Sequence, residues 1–152
     1  QAYKLGLGAS ESELTINVSG NAGLSSSILQ MNLLHLENFP ESVTVTKQKI
    51  AVSTIDKQLT LLGIKPEDVM LKIDVQGFEA EVLKGSSQSL STIPLCYLEV
   101  SLTPLYMGEI SFLHILTELS KHGHAVIDVF RGIKTKDGQL LQLDILTRLS
   151  KK

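Results

Sequence analysis

Two carboxylates stand near the ends of two apolar runs in the middle of the chain. Asp74 lies near the end of the run at residues 69–75, and Glu99 lies near the end of the run at residues 95–100. Carboxylates at such positions could act as a general base or bind a divalent cation. Ligands of open α/β sheets bind beyond the carboxyl ends of the strands, so Asp74 is the first candidate for chemistry.

The residues around Asp74 predict a strand that turns into a helix. Gly77 follows the apolar run, and the apolar residues after it have helical spacing, which is typical of a strand-to-helix unit in a parallel sheet. We expect residues 69–75 to form a central strand with residues 95–100 parallel beside it, both nearly fully buried. Asp74 and Glu99 would then share one rim of the sheet.

The acidic residues of this region also have structural interpretations. Asp74 could be held by Lys72, two residues earlier on the same strand face. Glu79 falls in the first turn of the predicted helix, where the helix dipole favours a negative charge. We therefore favour a functional role for Asp74 and a structural role for Glu79.

The remaining elements are predicted from turn residues and periodicity. They are a hairpin formed by residues 3–7 and 13–18, a polar loop with a short helix over 19–40, a short strand at 43–45, a helix from 53–56 to about Leu62, a helix from Ser111 to Gly123, and two antiparallel strands at 125–130 and 140–149. This order indicates an α/β fold with parallel strands and a final antiparallel pair. We expect one domain over residues 1–152.

Several other polar residues have less specific patterns. The serines at 25–27 could bind a carboxylate or phosphate, although serine runs are more often loop composition. Gly6 and Gly8 do not open a helix after a buried strand, so a nucleotide-binding loop is not favoured. We interpret His35 as a surface histidine and Asp56 as a structural residue at a helix start.

Three more residues are weighed in the same way. His122 and His124 flank a glycine and have no acidic or cysteine partner at ligand spacing, which favours a helix end and a strand start over a metal site. Tyr106 follows the second apolar run and could line an acceptor pocket, although an aromatic residue in a loop is as often simple packing.

Composition limits the partners and the compartment. Fourteen basic and sixteen acidic residues give a formal charge of −2, which does not favour binding to nucleic acid or an anionic membrane. No apolar run reaches the roughly 20 residues of a membrane helix. The single Cys96 lies inside an apolar run, which excludes an internal disulfide and favours a reducing, cytoplasmic compartment.

The motifs of the central region resemble those of the FkbM-type S-adenosylmethionine-dependent methyltransferases. The matching segments are KIDVQGFE at residues 72–79, VLKG at 82–85, LE at 98–99, LYMG at 105–108, Gln142 and Asp144. The serines at 25–27 and the TID at 54–56 also fall where that family carries similar residues. The order of elements looks like the carboxyl-terminal half of a class I methyltransferase sheet, so the resemblance implies a partial Rossmann-like fold.

The chain departs from the family pattern in three ways. Gln76 stands where glutamate is common, and Thr147 stands where an aromatic residue is usual. The resemblance also places the family's first strand, its glycine-rich cofactor loop and its ribose-binding acid before Gln1. We therefore expect residues 1–152 to be the carboxyl-terminal part of a methyltransferase domain and, alone, to bind S-adenosylmethionine weakly or not at all.

The resemblance implies methyl transfer from S-adenosylmethionine to an oxygen, in the form of a hydroxyl on a sugar, glycan or secondary metabolite. It implies Asp74 and Glu99 as catalytic residues and Asp74 and Glu79 as cofactor contacts, with a divalent metal as an open alternative. The second hypothesis is a non-catalytic Rossmann-like remnant that completes its sheet with a partner chain, which includes the case of a homo-oligomer.

Overall fold

The computed structural model describes residues 2–150 and contains seven strands, four α-helices and two short 3₁₀ turns. The strands are β1 Gly6–Leu7, β2 Ser12–Ser19, β3 Thr44–Ser53, β4 Met70–Ile73, β5 Leu95–Ser101, β6 His124–Arg131 and β7 Gln142–Leu149. The helices are α1 Leu33–Asn38, α2 Ile55–Leu62, α3 Glu79–Lys84 and α4 Phe112–Lys121. This mixture of parallel and antiparallel strands with helices confirms the expected α/β class with a partial Rossmann-like sheet.

The larger sheet has four strands in the order β4-β5-β7-β6. β4 pairs with β5 in parallel, with Met70 opposite Leu95 and Ile73 opposite Leu98. β7 is antiparallel to both β5 and β6, which confirms the predicted antiparallel pair at the end of the chain. The parallel pairing of β4 and β5, with α3 between them in sequence, is also confirmed.

The position of β4 in the sheet differs from the prediction. It is an edge strand of the described sheet rather than a central one, and it is half exposed rather than fully buried. Leu71 and Ile73 face the core, whereas Met70 is 58% exposed and Lys72 is also exposed. An apolar run indicates a strand but carries no information on its neighbours, so the sequence could not separate a central strand from an edge.

The smaller sheet contains β1, β3 and β2, with β3 in the middle. The predicted hairpin of residues 3–7 and 13–18 is wrong, because β2 pairs antiparallel with β3, and β1 pairs with β3 in parallel on its other side. The strand predicted at 43–45 is the start of this longer β3. β1 and β2 therefore do not pair with each other across the local turn. Each pairs with β3, which comes later in the chain.

Two helices begin and end at the residues that the sequence indicates. Thr54 caps α2 by accepting a hydrogen bond from the amide of Lys57, and Gly63 ends the helix in the left-handed conformation. Ser111 caps α4 by accepting from the amide of His114. Within residues 2–150 these helices, like the others, are too short or too polar to cross a membrane.

The main core lies on one face of the four-stranded sheet. It joins inward-facing residues of β4, β5 and β7 to apolar residues of α2, α3 and α4; the fully buried members include Ile73, Leu83, Leu90, Ile93, Leu98, Leu119 and Ile145. Burying such side chains contributes about 1.5–3 kcal/mol each. The opposite face carries Tyr97, Glu99 and Asp144 and is only partly covered. Polar side chains are therefore tolerated on that face.

The two sheets meet where the segment after α3 crosses the turn after β1. A Cβ atom on Gly85 would lie 2.0 Å from the carbonyl oxygen of Gly8, so only glycine fits at position 85. The Asp56 amide donates to the Gly85 carbonyl at 3.0 Å. The Asp56 carboxylate accepts from the amides of Gln88 and Ser89. Asp56 is therefore structural, as expected, and it anchors the segment that follows α3 as well as standing at a helix start.

Candidate functional site

The turn between β4 and α3 is made by two consecutive residues with left-handed backbone. Gln76 has φ 56° and Gly77 has φ 94°. A Cβ atom on Gly77 would lie 3.1 Å from the ring of Tyr106, so position 77 requires glycine on two grounds. A left-handed conformation costs a residue with a side chain about 1–2 kcal/mol. Gln76 tolerates this cost because its side chain and its carbonyl are both bonded.

The side-chain amide of Gln76 joins the two candidate carboxylates. Its Nε2 donates to Glu99 Oε2 at 2.7 Å and to Asp74 Oδ1 at 3.1 Å. Asp74 and Glu99 thus lie at the same edge of the sheet, because β4 and β5 run in parallel and end together. The sequence predicts this convergence but gives no sign that Gln76 bridges the two carboxylates.

Tyr106 and the serine loop hold Gln76 from its other side. The Tyr106 hydroxyl lies 2.8 Å from Gln76 Oε1 and 3.1 Å from the Ser25 carbonyl, and it can donate to either. Ser27 donates its hydroxyl to the Gln76 carbonyl at 2.7 Å. Tyr106 is 1% exposed. Tyr106 and Ser27 therefore position the bridging amide, and Ser25 contributes through its carbonyl contact with Tyr106.

The two carboxylates differ in their electrostatics. Burial, together with the nearby charges of Asp74 and Asp144, raises the pKa of Glu99 to about 7. Burial also raises the pKa of Asp74, but hydrogen bonds from Lys72 and Gln76 outweigh it, so the pKa stays below its ordinary value. The Lys72 ammonium lies 2.7 Å from Asp74 Oδ2. At neutral pH Asp74 is therefore charged, while Glu99 is divided between its two protonation states.

A cavity of about 290 Å³ opens beside this pair. Its wall combines carboxylates, amides, a hydroxyl, a histidine and apolar side chains: Asn21, Leu24, Ser25, His35, Phe39, Asp74, Gln76, Glu99, Ile133 and Gln142. Gln142 also donates to Glu99 Oε2 at 3.3 Å. Ligand pockets commonly combine apolar walls with a few convergent polar groups. This cavity is therefore the candidate binding site.

His35 is a further correction to the sequence analysis. It was expected at the surface, but it is 3% exposed and packs edge-on against the rings of Phe39 and Tyr106. Burial lowers its pKa, although the charge of Glu41 acts in the opposite direction. The short helix α1 turns this side chain inward, and a single histidine in a six-residue helix offers no periodicity from which that could be inferred.

One comparison with known proteins decides the family. The family model for the methyltransferase FkbM domain matches residues 1–126, which include β4, α3 and β5 with Asp74 and Glu99. The chain belongs to the FkbM methyltransferase family. Comparisons with curated proteins and with solved structures found no match.

Glu79 of this FkbM domain lies apart from the cavity wall. The residue is 5% exposed, and its carboxylate accepts from the amide of Gly77 at 3.1 Å and from the amide of Val75 at 3.3 Å. Burial raises its pKa to about 7. These contacts clamp the turn between β4 and α3 and favour the structural interpretation. A direct contact between Glu79 and a cofactor stays a prediction.

His124 and the single cysteine of the FkbM domain are occupied by packing. His124 is buried, with Nε2 3.0 Å from the Leu90 carbonyl and Nδ1 3.1 Å from Thr147 Oγ1. Cys96 is fully buried, and burial raises the pKa of its thiol to about 12. Over residues 2–150, no three His, Cys, Asp or Glu side chains are grouped so that they could hold a metal ion.

Proposed function

We propose that this FkbM domain transfers a methyl group from S-adenosylmethionine to a hydroxyl group, with Glu99 as the general base. The observation that carries the proposal is the Glu99 carboxylate itself, which lines the cavity and has a pKa raised to about 7. A general base is most effective when its pKa lies near the working pH. Glu99 meets that condition, and it accepts from two side-chain amides that fix its orientation.

The chemistry of methyl transfer to oxygen explains why a base is needed. A neutral hydroxyl is a weak nucleophile and must lose its proton as the new carbon–oxygen bond forms, while the methyl–sulfur bond of the donor would break and release S-adenosylhomocysteine. In this proposal Glu99 accepts that proton while the cavity aligns the hydroxyl with the methyl group, and alignment supplies much of the rate enhancement. The domain thus contributes orientation and one proton transfer.

Asp74 has a different proposed role, which revises its place as the first candidate base. Its carboxylate is bonded to Lys72 and Gln76, and its pKa is lowered, so it is a weaker base than Glu99 at neutral pH. Asp74 is charged at neutral pH and already pairs with one cation, the Lys72 ammonium, so its surroundings suit a positively charged group. We assign Asp74 the role of contacting the positively charged part of the methyl donor.

The cavity wall fits a cationic donor. Two carboxylates and no lysine or arginine are found among its described lining residues, which favours a cation over an anion. When bound, S-adenosylmethionine supplies an electrophilic methyl group on a positively charged sulfur. Asp74 would hold this group at the end of β4, and Glu99 would face the acceptor.

The test is methyl transfer by the full protein that carries this chain. S-adenosylmethionine with a labelled methyl group is offered with a panel of alcohols and methyl glycosides, and products are identified by mass spectrometry and NMR. The expected product is a methyl ether. Label found only on nitrogen, carbon or sulfur, or an unchanged rate in Glu99→Gln, would contradict the proposal.

One observation favours the second hypothesis, a binding module. The outer edge of β4 is unpaired within residues 2–150, and open strand edges readily accept another strand. A further strand, from another part of the protein or from a second chain, would complete the sheet beside Asp74. Self-association without any methyl transfer to the alcohol panel would support this module over the enzyme.

A further inference from the structure

The face of the four-stranded sheet opposite the main core carries a band of apolar side chains. Helices α2, α3 and α4 pack against the core face. The apolar and aromatic residues of the other face, which we call the open face, are Met70, Leu95, Tyr97, Ala125, Ile127, Phe130 and Leu146. Met70, Ile127 and Phe130 are 58%, 43% and 40% exposed. A contiguous exposed apolar patch marks an interaction surface.

The open face has a projecting ring and a depression at opposite ends of β6. Phe130 lies near the end of β6, with its ring 5.8 Å from the ring of Tyr97. A depression of about 430 Å³ lies at the start of β6. It is lined by Ala125, Ile127, Arg148, Leu149 and Ser150. Because cavities of about 150 Å³ already hold a benzene ring, the depression has room for a phenylalanine side chain.

Two opposite charges of the open face are also separated along the strands. Asp144 lies near the start of β7, opposite Glu99, and accepts from the Tyr97 hydroxyl at 2.9 Å. Arg148 lies four residues later on the same face, beside the depression. Residues of a strand rise about 3.3 Å each, so the two charges are about 13 Å apart and do not pair within one chain.

A second copy of the chain, turned end to end, fits both features at once. With antiparallel strands and a two-fold axis near Leu146, Asp144 of one copy faces Arg148 of the other. Phe130 is opposite Asp144, and Ala125 is opposite Arg148, in the β6–β7 pairing. Phe130 of one copy therefore faces the depression of the other. Each contact occurs twice, as a self-complementary two-fold interface requires.

We propose that the protein forms a symmetric dimer in which the open faces of two copies pack against each other with antiparallel strands. Asp144 of each copy pairs with Arg148 of the other, and Phe130 of each copy fills the depression of the other. The inference does not depend on the proposed function, because it concerns the sheet face and not the transfer chemistry.

Two other charged residues of the open face, Lys72 and Asp128, come near their own copies in this arrangement. Each is already bonded within its chain. Lys72 pairs with Asp74 at 2.7 Å, and the Asp128 carboxylate accepts from the amide of Val129 at 2.8 Å. These bonds reduce the repulsion between the like charges.

The first test is the oligomeric state of the full 152-residue chain. Sedimentation velocity over a range of micromolar concentrations should show a monomer–dimer equilibrium. A chain that stays monomeric throughout that range overturns the proposal, because the open face is then not covered by a second copy.

Charge exchange tests the proposed pairs. Arg148→Glu creates two contacts between like charges and should raise the dimer dissociation constant about 10²-fold or more. Combining Arg148→Glu with Asp144→Arg reverses both pairs and should restore most of the dimer. Arg131→Glu makes the same change at an exposed arginine of β6 on the other face of the sheet, and should leave the dissociation constant unchanged.

Two results of this experiment overturn the proposal. A dissociation constant that Arg148→Glu leaves unchanged would move the interface to another surface, such as the edge of β4. Failure of the double variant to recover the dimer while remaining folded would exclude the pairing of Asp144 with Arg148.

Cross-linking provides a second measurement, which stands even if a charge variant does not fold. Leu146→Cys places a thiol near the two-fold axis, so a short bifunctional thiol reagent should join two copies. Cys96 is fully buried and does not compete. Leu113→Cys places the thiol on α4, at a 71% exposed position on the opposite side of the sheet, and should not cross-link. Equal cross-linking at both positions, or none with Leu146→Cys, contradicts the proposed interface.

Discussion

Glu79 and Glu99 share a raised pKa but lie in two regions of the molecule that use it differently. Burial raises the pKa of both carboxyl groups to about 7. Glu79 lies at the start of α3 and accepts hydrogen bonds from two backbone amides. Glu99 lies at the end of β5, accepts from two side-chain amides, and lines the cavity.

The hydrogen-bond partners of the two carboxylates distinguish a structural role for Glu79 from a chemical role for Glu99. Backbone amides in a tight turn cannot move away from Glu79 without unfolding the turn, so that carboxylate is committed to the fold. A ligand can displace the side-chain amides that bond to Glu99, so the Glu99 carboxylate can contact a ligand directly. A raised pKa therefore marks a candidate functional residue only when the group also faces an accessible cavity.

The largest expected effect is on turnover. Glu99→Gln removes the base and should lower kcat about 10²- to 10⁴-fold. Glu79→Gln keeps a carbonyl oxygen for the two amides and should leave kcat nearly unchanged. Initial rates with saturating S-adenosylmethionine and acceptor, measured from pH 5 to 9, provide the comparison, and the parent rate should rise with pH through about 7.

The reverse result would break the comparison. If Glu79→Gln abolished turnover while remaining folded, and Glu99→Gln did not, the catalytic assignment would have to move to the start of α3.

The next effect is on the pH dependence of stability. The pKa of Glu79 is about 7 in the folded state and about 4.5 without the fold, so the folded state binds the proton more tightly. The free energy of unfolding should therefore fall as the pH rises from about 4.5 to 7, by about 3 kcal/mol from this group. Urea unfolding at several pH values should show a flatter profile for Glu79→Gln and greater stability than the parent at pH 8.

A steeper or unchanged profile for Glu79→Gln would mean that Glu79 ionises in the folded state without penalty. The burial argument for Glu79 would then be wrong.

A smaller loss is expected from Gln76→Glu. The change removes the amide that donates to Asp74 and Glu99 and puts a third carboxylate beside them. Hydrogen bonds to charged groups contribute about 1.5–3 kcal/mol, so the free energy of unfolding at pH 8 should fall by about 2 kcal/mol. Gln139→Glu, an equal change of charge in an exposed loop, is the control and should have little effect on unfolding in urea.

The smallest effect is expected at Lys72, the ion-pair partner of Asp74. Lys72→Met removes an ion pair whose two side chains are 59% and 42% exposed, and such pairs contribute about 0.2–1 kcal/mol. Turnover should change little in this variant if Glu99 is the base. A large rise in activity would show that Lys72 restrains Asp74 and that Asp74 is the base.

The central motif was readable from the sequence because local rules govern it. The apolar run, Gly77 and the acid at each strand end follow from strand burial and turn geometry, and the parallel pairing of β4 and β5 follows from the short helical connection. The caps of α2 and α4 are also local. These predictions needed no information on distant residues.

The errors arose where partners are far apart in sequence. β3 separates β1 from β2 because it pairs with both. The polar turn between β1 and β2 predicts a hairpin, and no local feature of the sequence indicates the pairing with β3. His35 is buried by Tyr106, about 70 residues later. The sequence shows Gln76 only as a departure from the family pattern. Its role as a bridge follows from the structure, in which its amide donates to both carboxylates.

The junction of Gly85 with Gly8 and Asp56 has a consequence for how the protein opens. The segment after α3 is packed against the turn after β1 with no room for a side chain, and the amides of Gln88 and Ser89 are held by Asp56. The helix α2, which follows β3 of the smaller sheet, cannot separate from the segment that leads to β5 of the larger sheet without breaking these bonds. In hydrogen exchange, the two amides should therefore exchange together and slowly, as reporters of one cooperative unit that spans both sheets.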